Sequence, residues 1–384
     1  MKNIIIIGSR GYNVNYGKKE TFVANLINNY KDEDTRFFVP ELSYKLNNKI
    51  EIKNGVICKQ IFIPKQGVLT MISFVMRSII YYTRLIKKDK MKNTIMYFIG
   101  VRGGILLSIL RNKLKKMGVQ IITNPGHLDW KRDAYPWFTR KWNKLSEKPM
   151  IKSSDLVICD NKITEKYIKE KYNVHTKYIP YGAYITDERN IDKKSRVFME
   201  KHKISKREYY LTIGRFVPNN NFELIIKEFM LTDTNKELVI VSDLKKNKYY
   251  NKLLSNTNFT KDKRIKFVGS LYDKDILTRL RLNAKGYIHG NNVGGTNLTL
   301  LEALANTDIN IVYDEEYNRD VCEDAVLYFT DEAFSLRDII EKVDRFKSKE
   351  NEEYSNKAKE RVKNEFTWDL TINKYKKTFN NILK

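Results

Sequence analysis

Two glycine-bearing junctions hold the residues of this sequence that are best suited to chemistry. The first lies in 289–304, where Tyr287 and Ile288 resemble the end of a strand and Leu298 begins an apolar, helix-like run. Backbone N–H groups and a helix N-terminus at such a junction can hold a diphosphate. We predict that five residues of this stretch bind a nucleotide sugar: Asn292, Gly294, Gly295, Thr296 and Asn297.

The second junction supplies a cation. The apolar run Tyr209–Ile213 leads into Gly214 and Arg215, and a guanidinium carries a fixed fork of donors that suits phosphate oxygens. We predict a catalytic role for Arg215 and a contact between Asn220 and the nucleotide sugar. The alternative is a surface arginine at a turn.

Glu302 is a carboxylate in the apolar helix-like run that follows the first junction. Its neighbours are leucine and alanine residues, so it needs a polar partner. We predict that Glu302 belongs to the catalytic residues and accepts hydrogen bonds from two ribose hydroxyls. A salt bridge to a neighbouring lysine is the alternative.

A third concentration of polar residues follows the strand-like run Val119–Thr123. An aromatic ring suits a sugar face, cations suit a phosphate, and a carboxylate suits a hydroxyl. We therefore predict an acceptor platform whose alternative is a connection closed by a buried tryptophan. Its members are His127 and Asp129, predicted as catalytic, and Trp130, Lys131 and Arg132, predicted as acceptor-binding.

The N-terminal segment carries a further strand-to-helix turn. Gly11 is predicted on the nucleotide-sugar side and Glu20 on the acceptor side of a site. The spacing is not Gly-x-Gly-x-x-Gly, so a dinucleotide-binding fold is not supported. Asp32-Glu33-Asp34 is interpreted as a solvated turn, and no metal site or cofactor is predicted.

Strand-like and helix-like runs alternate along the whole chain, which is typical of parallel sheets with crossover helices. We predict an α/β protein with two doubly wound, Rossmann-like domains that face a central cleft. The predicted segments are an acceptor-side domain in 1–190, a nucleotide-sugar domain in 191–365, and a C-terminal helix in 366–384 that packs back on the first domain. The predicted strands are Asn3–Ile7, Arg36–Glu41, Val56–Ile63, Thr94–Ile99, Val119–Thr123, Asp155–Cys159, Thr176–Ile179, Tyr209–Ile213, Glu237–Ser242, Ile265–Val268, Gly286–His289, Ile309–Tyr313 and Val326–Phe329.

The net charge of +25 indicates an anionic partner or surface, or a strongly solvated exterior. No RNA-recognition, zinc-finger or basic-zipper pattern is present, so we predict no nucleic-acid partner.

The first apolar run is interpreted as a core strand and not as a signal peptide. The three cysteines are interpreted as free, buried thiols of a cytoplasmic protein. The segment 67–88 is basic and amphipathic, which fits either a core-packing helix or a helix on a membrane surface.

Several ordered motifs resemble those of bacterial polysaccharide rhamnosyltransferases in retaining glycosyltransferase family 4, and the resemblance covers nearly the whole chain. They lie in 7–22, 130–132, 154–161, 213–221 and 287–304. The resemblance implies the GT-B fold and transfer of L-rhamnose from dTDP-rhamnose to a lipid diphosphate-linked sugar, without a metal, at the inner face of the plasma membrane. Other polysaccharide-synthesis enzymes are then possible partners.

The sequence departs from that pattern in places that bear on the donor sugar. Gly294 stands eight positions before Glu302, where the family commonly carries a glutamate, and Asn292 stands where the rhamnosyltransferase branch carries one. Two alternatives therefore stay open: a UDP-hexose glycosyltransferase of the same fold, and a non-catalytic partner subunit.

Overall fold

The structure is a computed structural model that describes residues 1–14, 17–46, 49–126, 130, 136–186, 193–244, 246–293 and 295–384. The chain forms two compact units. One comprises 1–181 together with 368–384, and the other comprises 182–367. The sequence-based boundaries fall at 190/191 and 365/366 instead, because the polar segment around them offers no sharp change of pattern.

The first unit contains an eight-stranded sheet in the order β3-β4-β2-β1-β5-β6-β7-β8. All described pairs are parallel except β3 with β4. The strands are β1 Lys2–Ile7, β2 Thr35–Ser43, β3 Ile50–Lys53, β4 Val56–Phe62, β5 Thr94–Ile99, β6 Gln120–Asn124, β7 Leu156–Cys159 and β8 Thr176–Tyr178. The helices are α1 Lys18–Asn29, α2 Thr70–Lys88, α3 Gly104–Lys116, α4 Trp137–Lys152, α5 Lys162–Tyr172 and, from the end of the chain, α14 Trp368–Ile382.

The second unit contains a six-stranded parallel sheet in the order β11-β10-β9-β12-β13-β14. Its strands are β9 Tyr209–Ile213, β10 Glu237–Val241, β11 Ile265–Phe267, β12 Gly286–His289, β13 Asn310–Tyr313 and β14 Leu327–Phe329. Its helices are α6 Lys193–Lys201, α7 Phe222–Met230, α8 Lys248–Thr257, α9 Lys274–Asn283, α10 Leu298–Asn306, α11 Glu316–Cys322, α12 Ser335–Asp344 and α13 Ser348–Glu365.

The predicted fold class, two Rossmann-like parallel units, is confirmed. Each predicted strand is present, with ends that differ by no more than two residues. The edge strand β3 was missed, because its alternating, half-exposed sequence Ile-Glu-Ile-Lys contains no apolar run. It pairs with β4 across a turn in which Asn54 and Gly55 both have positive φ, and Asn-Gly is a strong hairpin signal.

Helix α2 packs its inner face into the core of the first unit. Ile72, Val75, Ile79 and Tyr82 are buried there, as the core interpretation of segment 67–88 requires. The opposite side of α2 carries exposed arginine and lysine side chains. No helix of the described residues is long and apolar enough to cross a membrane.

Helix α14 contributes aromatic rings to a cluster in the first unit. Tyr375 lies beside Phe22 and Tyr97, and the hydroxyls of Tyr97 and Tyr375 are 2.8 Å apart.

Cys58, Cys159 and Cys322 are free and buried, as predicted. Burial raises the pKa of the Cys58 thiol to about 12, so it is not a reactive thiolate at neutral pH.

Candidate functional site

The candidate site lies at the carboxyl ends of β9 and β12, which are hydrogen-bonded neighbours in the second sheet. From β9 the chain progresses through β10 to one edge of the sheet, and from β12 through β13 to the other. Ligands of open α/β sheets bind at such a reversal of strand order. Both sequence-predicted junctions, after Ile213 and after His289, therefore meet at one place in the second unit.

The loops that leave β9 and β12 approach each other closely at Asn220. A Cβ built on Gly290 would lie 2.5 Å from the Asn220 carbonyl oxygen, and one built on Gly214 would lie 2.8 Å from Asn220 Nδ2. At Gly290 a side chain would collide with the Asn220 backbone, so the close approach of two backbones requires glycine there. At Gly214 an added side chain would instead meet the end of the Asn220 side chain, the group that donates to the Arg215 carbonyl oxygen.

Asparagine side chains fasten these loops together. Asn220 Nδ2 donates to the Arg215 carbonyl oxygen over 2.7 Å, and Asn220 Oδ1 accepts from Asn291 Nδ2 over 2.9 Å. Asn292 Nδ2 donates to Asn221 Oδ1 over 3.2 Å. These amides connect the turn after β9 to the turn after β12, and they fix the backbone from which Arg215 projects.

Arg215 itself is exposed, and within the described part of the chain its guanidinium makes no hydrogen bond or ion pair. Its backbone carbonyl oxygen accepts two hydrogen bonds, one from Asn220 Nδ2 and one from the Val217 N–H over 2.8 Å. A fixed backbone under an unpaired guanidinium gives a cation that can bind an incoming phosphate without first breaking a salt bridge.

Asn292 is predicted to contact the nucleotide sugar, and the structure places it in the asparagine network. Its backbone N–H donates to the Asn219 carbonyl oxygen over 3.1 Å. Its Oδ1 atom is buried and has no hydrogen-bond partner in the described part of the chain. The amide nitrogen of Asn292 is thus used to hold the loops together, and its amide oxygen can still accept a hydrogen bond.

The remaining residues of the first junction form the N-terminus of α10. Gly295 is buried with φ of +85°, a conformation that favours glycine, and Thr296 is fully buried. Asn297 caps the helix, because its Oδ1 accepts from the Thr299 N–H over 3.0 Å. The amide of Asn297 therefore serves the helix itself. Gly294 lies outside the described residues.

Glu302 projects from α10 with about a third of its side chain exposed, 34%. Its Oε2 accepts from Arg281 Nη2 over 2.6 Å, and the Arg281 side chain is only 3% exposed. The partner is thus an arginine of α9 and not a lysine. Within the described chain Oε1 makes no hydrogen bond, so one oxygen of the carboxylate is left for a ligand hydroxyl.

His289 ends β12 immediately before the glycine contact. The ring is buried, and burial lowers the pKa of His289 from its ordinary value of 6.5 to about 3. The imidazole is therefore neutral at physiological pH. Its Nε2 atom has no partner among the described residues, and its Nδ1 lies 3.3 Å from the Tyr287 hydroxyl.

In the first unit, Gly11 and Glu20 lie near the carboxyl end of β1. Glu20 is 5% exposed, and its Oε1 accepts from the Arg10 N–H over 2.8 Å. A Cβ on Gly11 would lie 3.0 Å from Val14 Cγ2. The predicted acceptor residue Glu20 thus fastens the turn after β1 through one carboxylate oxygen.

Trp130, also predicted to bind acceptor, is fastened to a buried carboxylate. Its indole Nε1 donates to Glu147 Oε2 over 2.8 Å, and Glu147 is 2% exposed. Lys144 and Lys171 lie over the indole ring, 5.3 and 5.7 Å from its centroid. Four predicted residues of this platform lie outside the described residues: His127, Asp129, Lys131 and Arg132.

The structure thus brings Arg215, Asn220 and Asn292 together in the second unit, and it places Gly11 and Glu20 in the first. Sequence reasoning did not assign a structural role to the residues that hold the predicted ones. These are Asn221 and Asn291 in the two loops, Arg281 at Glu302, and Glu147 at Trp130. The asparagine runs 219–221 and 291–292, in the loops that follow two predicted strands, are the signal that could have indicated the first two. Among the described residues, no group of three His, Cys, Asp or Glu side chains is placed to hold a metal ion.

Comparisons with known proteins give both units a counterpart. Residues 1–184 match the family model for a domain of unknown function, DUF1972, and residues 194–365 match the model for glycosyl transferases group 1. No curated protein matches the chain in sequence. The second match covers both junctions of the candidate site.

Solved structures resemble the whole chain. Sucrose-phosphate synthase from Thermosynechococcus elongatus aligns with a TM-score of 0.79 at 15% identity, over 100% of this chain and 99% of that chain. The chain has the GT-B fold. The UDP-forming α,α-trehalose-phosphate synthase from Burkholderia xenovorans aligns at 0.73 and 12% identity, over 100% of both chains.

A third GT-B structure, Anabaena HepE in complex with UDP, aligns with a TM-score of 0.72 at 12% identity, over 99% of this chain and 100% of that chain. Identities this low show the fold alone. The match of 194–365 to the model for glycosyl transferases group 1 supports a glycosyltransferase.

Proposed function

We propose that this GT-B protein is a retaining glycosyltransferase that moves L-rhamnose from dTDP-rhamnose to a lipid diphosphate-linked saccharide. The reaction would belong to cell-surface polysaccharide synthesis at the inner face of the plasma membrane. The observation that carries the proposal is the exposed Arg215 guanidinium, which no described residue pairs, at the reversal of strand order in the group 1 domain. The choice of rhamnose rests on the sequence resemblance.

In the proposed reaction, the bond between the anomeric carbon and the donor diphosphate breaks, and a bond to the acceptor hydroxyl oxygen forms on the same face. The acceptor proton passes to the departing phosphate oxygen. Arg215 and the backbone N–H groups around Gly295 and Thr296 would stabilise the charge that develops on the diphosphate. These groups take the place of a metal ion, so the proposal requires none.

Glu302 would bind the ribose or deoxyribose through Oε1, because Arg281 already occupies Oε2. In the proposal, His127, Asp129 and Glu20 line the sugar and acceptor side, and Trp130, Lys131 and Arg132 contact the acceptor. Glu20 and Trp130 have structural bonds of their own, to the Arg10 N–H and to Glu147. We therefore expect their substitution to affect stability as well as acceptor binding.

A specific finding favours a second donor class. One structural neighbour was solved with UDP, and others form UDP in their reaction, as their names state. A UDP-hexose would use the same diphosphate contacts and would differ in the sugar pocket, where Asn292 offers a neutral acceptor atom. A non-catalytic partner subunit is the remaining alternative.

The decisive experiment is a donor screen by mass spectrometry with purified protein and a lipid diphosphate-sugar acceptor. A mass gain of one deoxyhexose with dTDP-rhamnose supports the proposal. A gain of one hexose from a UDP donor establishes the second donor class. Nucleotide binding without transfer from any donor would indicate a partner subunit instead.

The role of Arg215 is tested with Arg215→Ala. We expect kcat/KM for the active donor to fall about a hundredfold or more, the size typical of losing one preorganised donor to a developing anion. Arg345→Ala is the matched control, because Arg345 is also exposed in the second unit and has no partner in the described chain. Unchanged turnover by the Arg215 variant would remove that residue from the mechanism.

A further inference from the structure

Three consecutive helices of the first unit have an unusual charge. Helices α2, α3 and α4 together contain thirteen lysines and arginines and a single carboxylate, Glu147. That carboxylate points inward, is 2% exposed and is bonded to Trp130. The outward side of the three helices therefore carries no acidic group. We call this outward side the basic helical face.

The topology places the three helices side by side. The connections from β4 to β5, from β5 to β6 and from β6 to β7 all progress in the same direction across a parallel sheet, so right-handed crossovers put them on one side of it. The helices also touch. A Cβ on Gly103 would lie 2.6 Å from Ile79 of α2, and one on Gly104 would lie 2.1 Å from the Ser146 carbonyl oxygen of α4.

Part of the positive charge is used inside the protein, and part is not. Arg111 pairs with Asp155, and Arg140 donates to the Trp130 carbonyl oxygen. The exposed Lys113, Lys115 and Lys116 at the end of α3 have no partner among the described residues. These lysines supply the positive potential of the basic helical face.

Large apolar side chains stand among these cations. Trp137 and Ile109 are each 73% exposed, Leu145 is 59% exposed and Phe138 is 37% exposed. They lie on α3 and α4. Ile109 stands one helical turn before the exposed Lys113, and Leu145 stands one turn after the exposed Lys141, so these apolar side chains share helix faces with exposed lysines. Exposed apolar groups gathered on one surface indicate a binding partner that offers an apolar phase.

Helix α13 of the second unit shows that the pattern is local. It contains five basic and five acidic residues in 18 positions. General lysine enrichment of the chain would favour basic residues there as well. The basic helical face therefore differs from an ordinary solvated helix in both its charge and its exposed apolar residues.

We propose that the basic helical face docks on an anionic lipid bilayer. Lysines and arginines would contact the headgroups, and Trp137, Phe138, Ile109 and Leu145 would enter the boundary between headgroups and acyl chains. A nucleic acid would satisfy the cations but would leave the aliphatic side chains in water. The inference rests on the proposed function for the membrane as the place of the reaction, and it adds the surface that docks there. That surface is remote in sequence from Arg215 and Glu302.

The test is flotation of the full-length protein with vesicles. We expect at least about tenfold stronger binding to vesicles of phosphatidylcholine with phosphatidylglycerol than to phosphatidylcholine alone, weakened by high salt. Lys113→Glu, Lys115→Glu and Lys116→Glu combined should lower binding about tenfold, and so should Trp137→Ser combined with Phe138→Ser. Circular dichroism checks that both variants fold.

The matched control reverses three exposed lysines of the second unit: Lys246→Glu, Lys248→Glu and Lys274→Glu. It changes the net charge by the same amount and should keep wild-type vesicle binding. Equal loss in this control would show a general charge effect and overturn the proposal. So would equal binding to both vesicle types, or binding to a single-stranded RNA oligonucleotide without binding to vesicles. Donor turnover is measured separately, so failure of docking and failure of the proposed function give different results.

Discussion

The loops at the carboxyl ends of the two sheets are held by different kinds of side chain. In the first unit the side chains that hold the loops are charged. Glu20 accepts from the Arg10 N–H, and Lys19 Nζ donates to the Ile99 carbonyl oxygen over 3.1 Å. Lys18 forms an ion pair with the buried Asp160 at 3.5 Å. In the second unit the loops are held by neutral amide side chains, those of Asn220 and its asparagine neighbours. The charged guanidinium of Arg215 has no bond to the described residues, and only its backbone carbonyl oxygen is held.

This difference has a physical consequence. A charged side chain that is desolvated and bonded inside the fold cannot bind a ligand without first losing those bonds. Amides can fasten a loop at a lower desolvation cost, because they carry no net charge. The second unit therefore keeps its cation available to a phosphate, and the first unit uses several of its charges for structure. Four predictions test this contrast, from the largest expected effect to the smallest.

The largest effect is expected from glycine replacement at the two sheet ends. Gly8 combines φ of +126° with a Cβ that would lie 2.2 Å from the Ile99 carbonyl oxygen, whereas Gly290 has the close contact without the positive φ. We expect Gly8→Ala to cost about 3–5 kcal/mol of unfolding free energy and Gly290→Ala about 1–3 kcal/mol, measured by urea denaturation.

Gly118→Ala is the control for conformation alone. Gly118 has φ of +70° and no atom within 4 Å of an added Cβ. It should cost about 1–2 kcal/mol. If Gly8→Ala cost no more than Gly118→Ala, the close packing of β1 on β5 at this end would not limit stability.

The next prediction tests a buried charged group of the first unit, the Glu147 carboxylate. Glu147→Ala leaves Trp130 Nε1, the hydroxyls of Tyr167 and Tyr172, and Lys171 without their shared acceptor. We expect a loss of about 3 kcal/mol, since removing one partner of a buried charge network is costly. The control is Glu51→Ala, whose carboxylate is 41% exposed and faces Lys53 at 3.5 Å on the edge strand β3, and which should contribute about 1 kcal/mol or less. Equal losses would show that burial of Glu147 adds nothing.

A smaller loss of stability is expected from removing a neutral amide of the second unit, that of Asn220. Asn220→Ala removes the bonds to the Arg215 carbonyl oxygen and to Asn291 and should cost about 1–2 kcal/mol. It should also weaken donor binding, because the Arg215 backbone loses a support. Asn256→Ala removes an exposed bond to Glu223 in the same unit and is expected to change stability by less than about 0.5 kcal/mol. Wild-type donor affinity in the Asn220 variant would mean that the amide network does not position Arg215.

The smallest effect at neutral pH is expected from His289, because its contribution changes only when the pH falls below 6.5. Burial lowers the pKa of folded His289 from 6.5 to about 3, so between these values the unfolded chain binds a proton that the folded chain does not. The His289 contribution to stability is complete above pH 6.5 and decreases as the pH falls toward 3, by up to about 1.4 kcal/mol per pH unit. Urea unfolding of His289→Gln should lack this component, and a variant of the exposed His175, His175→Gln, should retain it. An unchanged pH dependence in His289→Gln would contradict this.

Apolar periodicity was sufficient to predict most of the fold. Buried parallel strands are continuous apolar runs, which is why β5, β9 and β12 were predicted with the bounds that the structure shows. β3 lies at a sheet edge with alternate side chains in solvent, so its sequence has no such run. The turn residues Asn54 and Gly55 carried the only local signal for it.

The candidate site was predictable in position but not in bonding. Glycines and polar residues after strands identified the ends of β9 and β12, because carboxyl ends of adjacent parallel strands meet. The partners were another matter. Arg281 lies 21 positions before Glu302, and Glu147 lies 17 positions after Trp130. Separations of this kind have no fixed meaning in a sequence, because they depend on where two helices pack.

The sequence by itself thus determined the two parallel sheets, the two junctions in 213–220 and 289–304, and the general positive charge, since each depends on residue types and short spacings. Only the tertiary structure decided which polar groups are already bonded: Glu302 to Arg281, Glu20 to the Arg10 N–H, and Arg215 to none of the described residues. It also gathered the cations of three helices on one face. Hydrogen bonds and electrostatic attraction act over a few ångströms in space, and the chain distance between the partners does not enter.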